Sequence, residues 1–161
     1  MILVAYFSAT GETARLAGTL ARAAQADLYE IRPEHPYTAA DLNWHDNQSR
    51  SSVEMKDPAC RPGIAGELPD LTRYDTVFVG FPIWWYQAPR IIETFLASCD
   101  FSGKRVVPFA TSGGSGMGRT EEILKKSCPT KAVFLPGRRF DSGASLAAIR
   151  NWLNALELSK K

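Results

Sequence analysis

The sequence predicts an α/β domain with an open, doubly wound sheet of parallel strands and helices on both faces. Four short runs are almost continuously apolar, as in strands that are buried on both faces. Helical patterns alternate with these runs, which is typical of parallel strands joined by right-handed crossovers. The length of 161 residues suits one domain, residues 1–161. Five strand–helix units are too few for an eight-stranded barrel.

The apolar runs predict four buried strands, and a shorter alternating run predicts a fifth at a sheet edge. The buried strands are Ile2–Phe7, Thr76–Phe81, Arg105–Ala110 and Ala132–Leu135, and the edge strand is Asp27–Ile31. Apolar residues at helical spacing predict helices over Thr13–Ala24, Pro89–Ser98, Arg119–Lys126 and Ala144–Leu158. Proline at the start of the second helix fits, because the first turn of a helix needs no backbone donor.

The segment between the second and third strands, residues 32–74, is too long for an ordinary connection. Thr38 to Asp41 resembles a capping box, so we expect helix within Thr38–Lys56. The remainder is rich in proline and glycine, which predicts irregular coil. A surface excursion and a lid over a ligand fit this insert equally well. Three of its residues indicate ordered packing: Tyr37, Trp44 and Arg50.

Composition excludes several classes of function. Nineteen Lys and Arg against seventeen Asp and Glu give a net charge of +2, which makes no case for nucleic acid or an anionic membrane as a partner. The three cysteines are far apart, and the two histidines have no neighbours at metal-site spacing. No apolar run approaches the roughly 20 residues that span a bilayer, and no signal peptide is recognisable. We expect a cytoplasmic protein without a metal site.

The turn after the first predicted strand is rich in hydroxyl groups. Ser8-Ala9-Thr10-Gly11-Glu12-Thr13 leads directly into a helix. Hydroxyls and backbone N–H groups at a helix N-terminus can surround a phosphate. Helix capping by Ser8 or Thr10 is the simpler explanation, but one cap needs one hydroxyl, so three favour the phosphate. The lysine and spacing of a nucleoside-triphosphate loop are absent.

Two further strand ends carry unusual residues. The third strand is followed by Phe81-Pro82-Ile83-Trp84-Trp85-Tyr86, whose consecutive aromatics cannot all face the core. At least one must therefore lie on the surface or in a cleft, where a flat conjugated ligand would explain it, and a subunit interface is the alternative. The fourth strand is followed by Thr111-Ser112-Gly113-Gly114, whose glycines let the backbone approach a ligand. Because the carboxyl ends of parallel strands form one ligand-binding edge, the three loops together indicate a site for flavin mononucleotide (FMN).

These motifs also carry a family resemblance. Ser8-x-Thr10-Gly11-x-Thr13 resembles the phosphate loop of flavodoxins, and the other two loops are similar to the flavin loops of flavodoxin-like quinone reductases. The resemblance implies a three-layer sandwich with a five-stranded parallel sheet of order 2-1-3-4-5 and non-covalent FMN. It implies that Ser8, Thr10, Gly11, Glu12 and Thr13 hold the phosphate. It also implies that the isoalloxazine is bordered by Pro82, Ile83, Trp84, Trp85, Tyr86, Thr111, Ser112, Gly113 and Gly114.

Two residues depart from the family pattern. Glu12 stands where many relatives have asparagine, and we expect its carboxylate to turn away from the phosphate toward the helix end. Trp85 stands where many flavodoxins have a glycine that adopts positive φ during one-electron reduction. A bulky residue resists positive φ, which favours two-electron chemistry here.

Three functions are consistent with these residues. The first is an electron carrier between redox partner proteins, in which FMN does the chemistry and no side chain is catalytic. The second is an NAD(P)H-dependent FMN oxidoreductase that reduces quinones or similar small acceptors by two electrons. The third is a flavin-free binding module that kept the fold. We place the carrier slightly ahead of the enzyme, and the three loops place both ahead of the module.

Overall fold

In the computed structural model, a parallel sheet lies between two layers of helices. The structure describes residues 1–112, 117, 120–128, 131–141 and 143–156. The strands are β1 (Ile2–Tyr6), β2 (Asp27–Glu30), β3 (Thr76–Pro82), β4 (Arg105–Thr111), β5 (Val133–Phe134) and β6 (Arg138–Phe140). The helices are α1 (Glu12–Ala24), α2 (Arg50–Lys56), α3 (Arg90–Ser98), α4 (Thr120–Ser127) and α5 (Leu146–Leu156).

The strand order is β2-β1-β3-β4-β5, with all pairs parallel, so the predicted order is confirmed. The central strands β1, β3 and β4 are buried along nearly their whole length, as their continuous apolar runs predict. Strand β2 alternates between half-buried and exposed residues and forms the predicted edge. The order places β1 between β2 and β3, where the chain changes direction across the sheet.

Each face of the sheet has its own apolar core. Helices α1 and α5 cover one face, where Leu16 and Trp152 pack against Phe78 and Phe109. The insert, α3 and α4 cover the other face. Gly80 in β3 lets the Phe109 ring lie directly on the strand, because a Cβ there would stand 2.1 Å from a ring carbon. Among the described helices, none is both long and apolar enough to cross a membrane.

The fifth strand is interrupted, which the sequence analysis missed. Strand β5 pairs with the start of β4, and β6 pairs with the end of β4. Between them lie Pro136, which has no N–H for a sheet ladder, and Gly137, whose N–H goes to Glu121 Oε1 at 3.0 Å. The predicted strand Ala132–Leu135 is therefore only the first half. The second half carries the chain to the carboxyl edge of the sheet.

The prediction of helix within Thr38–Lys56 is right only for its last seven residues, α2. The capping-box bonds do form, since the Thr38 N–H donates to Asp41 and the Asp41 N–H donates to Thr38 Oγ1. Consecutive turns follow, and the helix begins only after Ser49, whose Oγ accepts from the Ser52 N–H. Reciprocal capping bonds therefore fix a turn without starting a helix. The segment after α2 is mostly irregular, as its proline and glycine content predicts.

Candidate functional site

The loops after β1, β3 and β4 meet at the carboxyl edge of the sheet and are joined by hydrogen bonds. The Phe7 N–H donates to Gly80 O at 2.9 Å, and the Ile83 N–H donates to Thr111 O at 3.0 Å. The hydroxyls of Thr13 and Thr111 lie 2.8 Å apart in the interior. Three segments that are distant in sequence thus form one continuous site wall.

The turn after β1 leaves the N-terminus of α1 open to an anion. Gly11 is the N-cap residue, at φ +95°, and has no side chain that could accept from the first N–H groups of the helix. Ser8 Oγ instead accepts from the Gly11 N–H at 3.0 Å, which closes the turn before the helix begins. Thr10 and Glu12 are exposed. Simple capping by Ser8 or Thr10 therefore does not explain the hydroxyls.

The Thr13–Thr111 pair links the first and third loops. Both residues are almost fully buried, and either hydroxyl can donate to the other. Two hydroxyls in contact hold two protons and use only one between them, so one proton remains for another acceptor. This pair can therefore fix the loops relative to each other and still donate to a ligand oxygen. Ser112 follows in the same wall, while Gly113 and Gly114 lie outside the described residues.

The segment after β3 forms a tight two-residue hairpin turn. The Trp84 N–H donates to Gln87 O at 2.8 Å, and the Gln87 N–H donates to Trp84 O at 3.0 Å. The central residues Trp85 and Tyr86 have φ +49° and +63°, the pattern of a type I′ turn. We call residues Trp84–Gln87 the aromatic turn. Trp85 is 40% exposed and Tyr86 is 68% exposed, so both side chains are accessible from solvent at this edge of the sheet.

The backbone of Trp85 differs from the sequence expectation. In that expectation a bulky residue at this position resists positive φ, but the structure already holds Trp85 in the left-handed region. Asn-Gly or Asp-Gly is the usual pair in a type I′ turn, because positive φ is costly for most side chains. The cost of the left-handed backbone is therefore present in the fold itself, and it cannot serve as a barrier that Trp85 alone would impose later.

Trp84 lies in an aromatic cluster that includes a residue of the insert. The Trp84 ring meets Phe7 edge to face at 5.8 Å between ring centroids and Tyr37 at 5.3 Å. Phe7 and Tyr37 also contact each other, at 5.6 Å. The predictions for Tyr37 and Arg50 as ordered residues are confirmed, because the Arg50 guanidinium lies 3.8 Å over the Tyr37 ring. Trp44, by contrast, is 64% exposed and stacks only on His45 among the described rings.

Sequence reasoning did not place Tyr37 or Arg139 at this site. Arg139 lies in β6, and its Nη1 donates to Ser112 O at 3.0 Å and to Asp141 Oδ1 at 3.1 Å. It therefore ties the beginning of the third loop to the second half of the interrupted strand. No local pattern assigns either residue to the site, since the contacts that place them there are with residues distant in the sequence. Arg139 could have been placed near the site only by predicting that the fifth strand continues beyond Pro136 to the carboxyl edge of the sheet.

Comparisons with known proteins agree with this geometry. A family model described as flavodoxin matches residues 1–156. The chain belongs to the flavodoxin family. It is 51% identical to a Bacteroides eggerthii protein assigned as a flavoprotein, with 98% of each chain covered and a TM-score of 0.91. A Bacteroides uniformis protein with the same assignment is 51% identical over 95% of this chain and 97% of its own, with a TM-score of 0.90.

A more distant similarity shows the fold alone. A Lactobacillus acidophilus flavoprotein, solved in complex with FMN, is 20% identical over 86% of this chain and 91% of its own, with a TM-score of 0.68. Among curated proteins, no significant match was found.

Proposed function

We propose that this flavodoxin-family protein binds FMN without a covalent bond and transfers electrons through it. One observation carries the proposal most strongly: the open N-terminus of α1 lies at the same sheet edge as the aromatic turn. A helix N-terminus with free N–H groups is a ready anion site, and a flat conjugated ring suits an aromatic wall. The Lactobacillus flavoprotein, which shares the fold, was solved with FMN.

The residues present fit a phosphate-bearing flavin. Glycine at the N-cap leaves room for a phosphate, since a Cβ built on Gly11 meets no described atom within 4 Å. Ser8, Thr10 and the spare proton of the Thr13–Thr111 pair would supply hydroxyl donors. Glu12 is exposed in the first turn of α1, where its negative charge interacts favourably with the positive end of the helix dipole. The Trp84–Tyr86 side would border the ring, together with Ser112.

A bound flavin supplies reversible one-electron or two-electron transfer, and the protein's task is to hold it and control access. In the carrier function the named side chains bind and orient the cofactor, and none is needed as an acid or a base. The partners are then redox proteins that approach the exposed edge of the site. We favour this carrier function.

A second candidate is a two-electron reductase of quinones or similar small acceptors that uses NAD(P)H. The exposure of Trp85 and Tyr86 favours it, because two solvent-accessible aromatic rings offer a flat acceptor a surface on which to stack. Steady oxidation of NADPH in the presence of a benzoquinone, dependent on bound FMN, would establish the reductase. Electron delivery to a redox protein without such oxidation would establish the carrier.

The cofactor is tested by the visible spectrum of the purified protein. We expect a yellow protein that releases FMN on denaturation. A colourless protein that does not take up added FMN would overturn both redox functions and leave the flavin-free binding module.

The phosphate loop is tested by comparing FMN with riboflavin, which lacks the phosphate. Thr10→Ala should weaken FMN binding about ten- to a hundredfold, since a hydrogen bond to a charged group contributes about 1.5–3 kcal/mol. Riboflavin binding should change little. Thr19→Ala is the matched control, because Thr19 lies within α1, beyond the loop that precedes the helix, and its hydroxyl donates to Arg15 O. Equal losses for both ligands in Thr10→Ala would show that the loop does not hold the phosphate.

A further inference from the structure

The insert reaches the proposed flavin site through Tyr37. Its ring packs on Trp84, the first residue of the aromatic turn, and on Phe7 at the end of β1. Trp84 is thus supported by one ring from the sheet and one from the insert. The Tyr37 ring is half-buried, so this contact belongs to the interior of the fold.

The position of Tyr37 is fixed by two charged residues on α2. Its hydroxyl donates to Glu54 Oε1, and Arg50 lies over its ring while donating from Nε to Glu54 Oε2 at 2.9 Å. Burial, together with the hydrogen bond to Glu54, raises the pKa of the Tyr37 hydroxyl far above its ordinary value. The hydroxyl therefore stays protonated and keeps donating to Glu54.

A second connection joins α2 to the aromatic turn through Arg90, the first residue of α3. Arg90 is 4% exposed and donates to the carbonyls of Glu54 and Met55, at 3.2 and 2.7 Å. It also donates to Gln87 Oε1 at 3.3 Å and pairs with Glu93 at 2.8 Å. The same guanidinium therefore binds the end of α2 and the last residue of the aromatic turn.

Both connections act on a turn whose own sequence does not favour its shape. Trp85 and Tyr86 have positive φ, which bulky residues avoid, and such a conformation persists only when its surroundings impose it. The turn begins at Trp84, which Tyr37 contacts, and ends at Gln87, which Arg90 contacts. The insert therefore supplies part of what holds the turn in this conformation.

We infer that Tyr37, fixed by Glu54 and Arg50, is a positioning residue for Trp84, and that the insert thereby sets the flavin environment. This inference rests on the proposed function, since it assumes that Trp84 borders a bound flavin. By this inference the insert helps to shape the wall of the site, whereas an insert that is only a surface excursion would have no effect on the site.

The test compares Tyr37→Leu with Tyr29→Leu. Tyr29 is a matched control: it is half-buried, its hydroxyl donates to the insert at Glu67 O, and its ring stacks on Phe95 instead of Trp84. Tyr37→Leu should weaken the binding of FMN and riboflavin by the same factor, about tenfold. At saturating FMN it should also change the visible circular dichroism and the fluorescence yield of the bound flavin. In Tyr29→Leu all of these should match the unmodified protein.

Two further measurements keep the outcome decisive. Near-ultraviolet circular dichroism without added flavin should weaken in Tyr37→Leu more than in Tyr29→Leu, because Trp84 loses a ring neighbour. Should Tyr37→Leu not fold, Tyr37→Phe replaces it and should weaken flavin binding two- to threefold by freeing the ring from Glu54. Flavin signals in the Tyr37 variants equal to those of the Tyr29 controls would overturn the inference alone. Absence of FMN binding by the unmodified protein would overturn the proposed function and the inference with it.

Discussion

The turns after β1 and β3 both contain residues with positive φ, but the first has glycine at that position and the second has two bulky aromatic residues. The first has Gly11 at φ +95°, and the second has Trp85 and Tyr86 at +49° and +63°. Glycine adopts positive φ without penalty, whereas a residue with a side chain loses about 1–2 kcal/mol in the left-handed conformation. The sequence of the first turn therefore favours its own shape, and the sequence of the aromatic turn opposes it.

The two turns also differ in where their support comes from. The first is closed by its own residues, since Ser8 Oγ accepts from the Gly11 N–H and Gly11 O accepts from the Arg15 N–H at 3.1 Å. The aromatic turn is held from outside, by Tyr37 on Trp84 and by Arg90 on Gln87. The proposed phosphate site thus depends on a few neighbouring residues, whereas the position of the exposed aromatic rings depends on residues elsewhere in the fold.

Removing the outside support should have the largest effect. Arg90→Met should lower the free energy of unfolding by about 3–5 kcal/mol, because it breaks the buried ion pair with Glu93 and removes the guanidinium that donates to the carbonyls of Glu54 and Met55. Glu93 then keeps only Arg61 and Ser127 as partners among the described residues. Urea unfolding measures this loss. Arg73→Met is the control, since Arg73 pairs with Asp27 at the surface and its loss should cost several times less. Comparable losses in the two variants would mean that the buried contacts of Arg90 stabilise the fold no more than a surface ion pair does.

The next effect concerns the self-supported turn. Gly11→Ala should lower the free energy of unfolding by about 1–2 kcal/mol, since alanine at φ +95° is strained even where space is open. Gly18→Ala is a control of opposite sign: Gly18 lies inside α1, where alanine should stabilise the helix by about 0.5–1 kcal/mol. Thermal unfolding of both variants measures the pair. If Gly11→Ala were as stable as Gly18→Ala, the left-handed backbone at Gly11 would not matter.

The difference between support from neighbouring residues and support from distant residues also explains what could be predicted from the sequence. Local apolar patterns predicted the parallel sheet with helices on both faces, and the resemblance to flavodoxins, carried by motifs such as the six residues after β1, implied the strand order that the structure confirms. The Thr38–Asp41 bonds were also predicted, but they close a turn, and the helix expected after them begins only after Ser49. The fifth strand was cut short because Pro136 and Gly137 read locally as an end of strand.

The aromatic turn and its supports show where local patterns stop being informative. Three consecutive aromatic residues indicated a site but not a left-handed turn, because no residue in the turn prefers that backbone. Tyr37 was marked as ordered, yet its contact with Trp84 joins segments on opposite sides of β3 in the sequence. Such contacts follow only from the folded arrangement of the insert on α3.

The smallest expected effect tests whether the aromatic turn is strained at all. Tyr86→Gly should raise the free energy of unfolding by about 0.5–1 kcal/mol, because relief of the left-handed strain exceeds the entropy that glycine adds to the unfolded chain. Little burial is lost, since Tyr86 is 68% exposed. Tyr86→Leu is the control, because leucine keeps a Cβ and should bring no gain in stability.

A Tyr86→Gly protein that is more stable, and at the same time reduces quinone acceptors less efficiently, would show that the ring is retained for the acceptor. Equal stability of the glycine and leucine variants would show that the positive φ of Tyr86 causes no strain. The two turns would then differ only in their side chains.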